Sequence, residues 1–480
     1  MKIFTKRRIV LSLIIILFVA IIFVGYKNRE YVDQLPIGCA FKARALCAAV
    51  FVSGRDPVVV EREDMGFNPL FKLFHAKINT EEKSVTCSLL GTGLYEKKAI
   101  HVDKLGAVLL SSIEEKVIRE WKPVMSRSEP ANPEAVEWPR GEKLPEVPLP
   151  ANIDIAKINS AVEKLFIESN PDKKLYTRAV LIVHNGRIIA ERYAPGITKD
   201  TPLLSWSMAK SFTNAIIGIL VKQGKINIKN PALVPEWKKA DDPRRAITLD
   251  QLLRMSSGLE WVEAYAERPI SDVNIMLFLK PDMAAYAASK PLAVKPDTLW
   301  RYSSGTANII CRLIREKIGS REAYWNFPRR ELFNKLGMRS AIWETDASGT
   351  FIGSSYLYAT ARDYARFGLL YLNDGVWQGE RILPEGWVAY SITPTPAAPK
   401  REYGAHFWLN RGSDSKAVNR LYPQLPADAF FARGYQGQII AIIPSRKLVV
   451  VRLGMTYDDK WGDNKWGMEP FIKSVIEAIK

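Results

Sequence analysis

Histidine is scarce in this chain, with four residues in 480: His75, His101, His184 and His406. His75 and His101 lie ahead of a proline-rich stretch, and His184 adjoins the turn signal Asn185-Gly186. A Ser-His-Asp triad would have to use His184 or His406. No motif surrounds either, so both read as structural. No Gly-x-Ser-x-Gly elbow occurs, which argues against an α/β-hydrolase. His-Glu-x-x-His and Cys-x-x-Cys are missing too, so no metal and no cofactor is expected. Cysteine is as rare, at Cys39, Cys47, Cys87 and Cys311. Cys311 lies in an apolar helical pattern and reads as core. Cys39 and Cys47 on one straight helix would be ~12 Å apart, beyond the ~7 Å a disulfide spans. A bend, or a bond to Cys87, would be needed, and the pairing stays open.

What is present begins with Ser207-Met208-Ala209-Lys210. A serine hydroxyl is a weak nucleophile until its proton is removed. Three residues on along a helix, a lysine amine lies on the same face. Once desolvated, that amine can act as the base, and no histidine is needed. Ser413-Asp414-Ser415-Lys416 has the same spacing but lies in a polar, glycine-containing stretch that reads as a loop. Ser207 is followed by Phe212, Ala215, Ile216, Ile219 and Leu220, a helical stripe closed by Gly224. It therefore falls in a first helical turn, where free N–H groups favour negative charge.

The N-terminus speaks to compartment. Lys2, Lys6, Arg7 and Arg8 precede an apolar run from Ile9 to Gly25. At ~1.5 Å per residue that run just spans a ~30 Å hydrocarbon core. The flanking charge predicts a cytoplasmic tail over 1–8, a signal anchor over 9–26 and everything after it outside, in the periplasm of a single-pass inner-membrane protein. No small-x-small site follows to favour cleavage, and charged residues separate the run from Leu35-Pro36-Ile37-Gly38-Cys39, a weak lipoprotein-like box. The net charge is +17, spread along the chain without a nucleic-acid motif. The expected partners are the membrane, through this helix, and a small-molecule substrate; nucleic acid is not one.

Residues 27–122 read as a small, β-rich extracytoplasmic region, with Ser53-Gly54-Arg55-Asp56-Pro57 and Leu89-Leu90-Gly91-Thr92-Gly93 as turns between short strands. Prolines at 123, 130, 133, 139, 145, 148 and 150 mark a linker over 123–151. Residues 152–480 form one unit, large enough for a sizeable core. Within it, Ile153 to Ile167 is helical by period, and Arg178 to Tyr193 alternates around Asn185-Gly186 as a hairpin. A late strand pair, 438–443 and 447–452, is joined at Pro444-Ser445-Arg446. The two hairpins would pair in one antiparallel sheet with helices packed on it.

From about residue 175 the sequence resembles the serine β-lactamase and penicillin-binding-protein-like superfamily, in its class C, esterase and 6-aminohexanoate-dimer-hydrolase branch. The residues that carry this are Ser207-Met208-Ala209-Lys210, Leu252-Leu253-Arg254-Met255-Ser256-Ser257-Gly258-Leu259, Trp300-Arg301-Tyr302-Ser303-Ser304-Gly305, Tyr358 through Gly368, and Arg381-Ile382-Leu383-Pro384. The resemblance implies an α+β fold: an antiparallel β-sheet flanked by helices, plus an all-helical subdomain. It implies an acyl-enzyme on Ser207, with Lys210 taking or relaying the proton. Tyr302, its pKa lowered from ~10 by Lys210, would protonate the leaving group and later activate water. Ser304 would bond Lys210 or substrate. The family's Lys-Thr-Gly strand motif is missing; its place falls near Ala429-Phe430-Phe431. Arg433 or Tyr435 would substitute for the absent cation, and Ala432 would offer an oxyanion N–H. The expectation is a membrane-anchored serine hydrolase of a small ester or amide. The alternatives are a β-lactamase or D-Ala-type wall peptidase, or a non-catalytic ligand-binding module on the same fold.

Overall fold

The computed structural model describes residues 29–126, 132–170, 174–265, 268, 270–414, 416–457 and 466–480. The expected tail over 1–8 and nearly all of the expected anchor's surroundings, 9–26 included, lie outside the described residues.

The N-terminal unit opens with a long helix, α1 (Arg29–Phe51). Its Ala, Leu and Arg residues favour a helix, and its small side chains Ala40, Ala43 and Cys47 are fully buried. They pack on a four-stranded antiparallel meander: β1 (Phe74–Asn79), β2 (Ser84–Leu89), β3 (Leu94–Val102) and β4 (Gly106–Leu109). Val32–Phe51 is long and apolar enough to cross a membrane, yet 56% of its best window is buried within the fold. Here it serves as the core helix of its own unit. The expected turn at Leu89–Gly93 does connect β2 to β3. The expected turn at Ser53–Pro57 does not connect strands; it joins α1 to a second helix, Pro57–Asp64. Asp56 caps that helix by accepting from the Val58 and Val59 amides, and Pro57 supplies its first turn. The region is thus helix-on-sheet rather than strands alone. An Asp-Pro pair starts a helix as readily as it makes a turn, and α1 decides between them. Cys39, Cys47 and Cys87 are buried free thiols, with those of Cys39 and Cys87 hydrogen-bonded to each other.

The proline-rich stretch is pinned rather than loose. Glu142 binds Arg362 Nη1 at 2.9 Å and Arg366 Nη2 at 2.8 Å, and also pairs with Arg339. Trp138 Nε1 donates to the Gly186 carbonyl at 2.9 Å. Composition signals a linker, but the arginines that hold Glu142 lie some two hundred residues away.

The large unit holds α2 (Ile155–Lys164), β5 (Thr177–His184), β6 (Arg187–Tyr193), α3 (Ala209–Lys222), α4 (Asp272–Leu279), α5 (Ser304–Ile318) and α6 (Ala361–Leu372). It closes with β7 (Trp408–Leu409), β8 (Phe430–Gly434), β9 (Gln438–Ile443), β10 (Leu448–Gly454) and α7 (Met468–Glu477). The strands form one antiparallel sheet in the order β7-β8-β9-β10-β5-β6. The two hairpins read from sequence therefore meet at β10–β5, as expected. Asn185 and Gly186 take positive φ, 48° and 78°, as a tight hairpin turn demands. Helix α6 covers one face of the sheet, lying close enough that a side chain at Gly368 would strike Val449. Helices α2 and α7 cover the other through Ile158, Val162, Ile472 and Val475. Burial on both faces explains the apolar runs Ile439–Ile443 in β9 and Leu448–Val451 in β10. Helices α3 to α5 and shorter turns fill the space beside the sheet.

Buried ion pairs join the two units. Arg44 in α1 donates to Glu344 at 2.8 Å, and Glu344 also accepts from the Ala107 amide at 2.7 Å. Arg55 and Arg178 both bind Asp64.

Candidate active site

Ser207 sits in a short turn, Trp206–Met208, that runs directly into α3. Ser205 ties this turn down: its amide donates to the Leu357 carbonyl at 2.8 Å. Trp206 takes φ of 45°, a left-handed conformation costly for a bulky residue. The strain is held by packing, for Trp206 is buried among Phe41, Tyr265, Tyr356 and Tyr435. From α3, completely buried between Ala209 and Leu220, Lys210 points back beneath Ser207.

Lys210 is 1% exposed, whereas Ser207 remains half-buried. The Lys210 Nζ lies 3.2 Å from Ser207 Oγ, 3.0 Å from Ser304 Oγ and 3.0 Å from the Ser354 carbonyl. Those three acceptors suit an ammonium. A neutral amine could instead donate to two of them and accept the Ser207 proton. Burial lowers the Lys210 pKa to about 8, against an opposing pull from Glu263. The neutral form is thereby brought near physiological pH.

Tyr302 hydrogen-bonds the Ser207 side chain, and its ring lies 4.8 Å from Lys210 Nζ. Its electrostatics differ from expectation. Burial and then Glu263 raise the phenol above its ordinary value, and Lys210 does not pull it down. Tyr302 is therefore a neutral hydroxyl at physiological pH, and Lys210 is the group shifted towards it. The physical reason is that desolvation of the phenolate in this closed site, with Glu263 adding to it, outweighs the lowering by Ser207 and Arg433.

Ser304 meets Lys210, as expected, at the start of α5. A residue the sequence did not mark completes the array. Glu263 accepts from the Ser304 amide at 2.7 Å and from Ser304 Oγ at 2.5 Å. Its carboxylate thus caps the positive end of α5 and fixes the Ser304 hydroxyl. Tyr265 donates to Glu263 at 3.3 Å and also contacts Ser304. Glu263 lies in a stretch that carries no motif of its own. Its carboxylate and Ser304 are 41 residues apart in sequence, so no local pattern could have linked them.

The other expected site residues lie on or beside β8. Ala432 is buried opposite Ile440. At Gly434, a Cβ would come within 2.2 Å of the Ser205 carbonyl, so this strand runs tightly against the Ser207 turn. Arg433 stacks over Trp408 at 5.0 Å and Tyr422 at 5.7 Å. Trp408 in turn stacks on Tyr302. Tyr435 turns instead to Trp206 and Tyr265.

His406 is buried, with Nδ1 2.8 Å from the Lys210 carbonyl. Burial and Lys210 lower its pKa to about 3, so it is neutral and braces the backbone of Lys210. Lys416 of the second Ser-x-x-Lys is exposed and far from any helix of this kind. Among the described residues, no cluster of three or more potential metal ligands occurs.

The family model described as Beta-lactamase matches residues 162–459, more than half of the chain. The chain is 24% identical over 336 residues to 6-aminohexanoate-dimer hydrolase of Paenarthrobacter ureafaciens, covering 63% of this chain and 79% of that one. Among solved structures, a provisionally named 6-aminohexanoate-dimer hydrolase from Bacillus anthracis is similar, with a TM-score of 0.53 and 25% identity over 63% of this chain and 80% of that one. EstCE1, a hydrolase with promiscuous acyltransferase activity, gives a TM-score of 0.54 at 15% identity, covering 68% of this chain and 99% of that one.

Proposed function

Because this chain belongs to the beta-lactamase family, we propose that it is a serine hydrolase that cleaves an ester or amide through an acyl-enzyme on Ser207. The observation that carries this reading is the approach of a buried Lys210 Nζ, with a pKa of about 8, to within 3.2 Å of the Ser207 hydroxyl. Neutral Lys210 accepts the Ser207 proton as Oγ attacks the substrate carbonyl. The Ala432 and Ser207 amides receive the developing oxyanion, a contribution of ~3 kcal/mol per donor in comparable sites. As the tetrahedral intermediate collapses, the Tyr302 hydroxyl gives its proton to the leaving group, and the proton taken up by Lys210 replaces it. Water then enters by the reverse route and releases the acid. Ser304, held by Glu263, keeps Lys210 aimed at Ser207.

Ester or small-amide substrates suit the site better than β-lactams. Arg433, the cation nearest the place of the missing Lys-Thr-Gly, is stacked on Trp408 and Tyr422. A relative named for the 6-aminohexanoate dimer, not for a lactam, supports the same choice. The enzyme is anchored by residues 9–26 with its catalytic unit outside the cytoplasm. A fluorophosphonate probe tests the reaction class. It labels the wild type and not Ser207→Ala; labelling that survives Ser207→Ala would overturn the assignment.

A further inference from the structure

Between the two units lies a cavity of 180 Å³ with a mostly apolar lining. The N-terminal unit supplies one side, with Leu35, Phe41 and Phe71 among its residues. The large unit supplies Trp206, Tyr265 and Tyr435. These three residues also belong to the surroundings of Ser207. Trp206 precedes it in the chain, and Tyr435 follows the strand that runs against its turn. Tyr265 spans both places: its hydroxyl bonds Glu263 and contacts Ser304, while its ring stacks on Tyr435 at 4.9 Å in the cavity wall. At the rim, Leu70 is 44% exposed, an apolar side chain left in water.

We propose that this cavity is the acyl-chain pocket of the enzyme, and that its substrates are esters or amides of medium to long fatty acyl groups. The proposal rests on the Ser207 hydrolase reading. Three observations select this occupant. The lining is largely aliphatic and aromatic, with the amides Gln34, Asn68 and Asn274 among it and no charged side chain. Its volume exceeds that of cavities of ~150 Å³ known to hold a benzene-sized guest, so it takes an alkyl chain of several carbons. Part of its lining, Gln34 to Gly38, begins only nine residues beyond the apolar sequence that ends at Gly25. An amphiphile leaving a membrane that holds that sequence would meet this side of the cavity first. The reaction requires no further reagent: the acyl group passes to Ser207 Oγ, the alcohol or amine leaves with a proton, and water releases the fatty acid. This gives the N-terminal unit a task, since without α1 and Phe71 the pocket would have no outer wall.

The test uses the full chain in nanodiscs and p-nitrophenyl esters from acetate to laurate. In the wild type, kcat/KM rises about fourfold per added methylene up to octanoate. Leu35→Trp, which fills the mouth from a partly exposed position, lowers the octanoate-to-acetate ratio by about tenfold. Phe71→Ala moves the preferred chain length beyond octanoate. Val58→Trp, a substitution on the surface of the same unit, leaves the ratio unchanged. Fluorophosphonate labelling of Ser207 is followed in every variant. A flat or falling chain-length profile in an enzyme that labels on Ser207 overturns the acyl pocket and leaves the hydrolase standing. So does an unaltered ratio in folded Leu35→Trp together with an unaltered optimum in Phe71→Ala. Absence of Ser207 labelling in the wild type overturns the hydrolase reading and the pocket with it.

Discussion

The two units bury opposite kinds of chemistry. Behind Ser207 the interior is polar and closely satisfied: Lys210 has three hydrogen-bond partners, and Ser304 and Glu263 hold each other as well as α5. In the N-terminal unit the interior is a helix of small residues on a sheet, and the surface it turns to its neighbour is aromatic. The junction itself combines both, with the buried Arg44–Glu344 and Arg55–Asp64–Arg178 contacts beside the packing of Phe41 on Trp206 and Phe278. The difference teaches a division of labour. Chemistry needs groups held in fixed positions by hydrogen bonds, whereas an apolar pocket needs only shape and exclusion of water. Ion pairs at the junction add orientation, because a misdocked unit would leave charges buried without partners.

Four experiments probe that contrast. The largest effect falls on the polar array: Ser207→Ala or Lys210→Ala lowers kcat/KM by about 10⁴-fold or more, measured on an activated ester. An effect under about tenfold for either would remove the array from the chemistry. Next comes the junction. Glu344→Ala leaves Arg44 buried and uncompensated, and lowers unfolding stability by about 3–5 kcal/mol in urea titrations. If it costs under about 1 kcal/mol, the units do not depend on that pair.

The third experiment concerns pH. Lys210 acts as a base only when neutral, so activity rises with pH through about 8 and then levels. Glu263 favours the ammonium form; Glu263→Gln removes that stabilisation and shifts the midpoint to lower pH. A pH–rate profile reads this directly, and a midpoint moving upward would contradict the assignment. The smallest effect is local to the N-terminal unit. Asp56→Ala removes the cap of the Pro57–Asp64 helix and costs about 1 kcal/mol. Thermal melts should register it while Ser207 labelling stays intact.

Much of this arrangement is legible in the sequence because it is local. The Asn185-Gly186 hairpin, the strands on either side of Pro444, and the helix that begins after Ser207 each follow from neighbouring residues. Ser207 and Lys210 are three positions apart on one helix, so their contact needs no knowledge of the rest. Separation from the Ser413–Lys416 copy required only the apolar stripe that follows. Glu263, by contrast, carries no local mark, and the arginines that pin Glu142 are distant in the chain. The helix over Arg29–Phe51 was masked in a different way. Turn-forming residues on its C-terminal side suggested strands, and tertiary packing against the meander settled the matter.

Spacing within short segments is enough to read the Ser-x-x-Lys pair, the two hairpins and the beta-lactamase-like motifs from the chain. Tertiary structure alone decided how that pair is tuned. Desolvation belongs to everything packed around a group, not to its neighbours in the chain. Only the closed fold could bury Lys210, raise Tyr302 instead of lowering it, and bring Glu263 to Ser304. For the same reason, the cavity exists only where two separately encoded units meet, with Phe41 from one and Trp206 from the other in its walls.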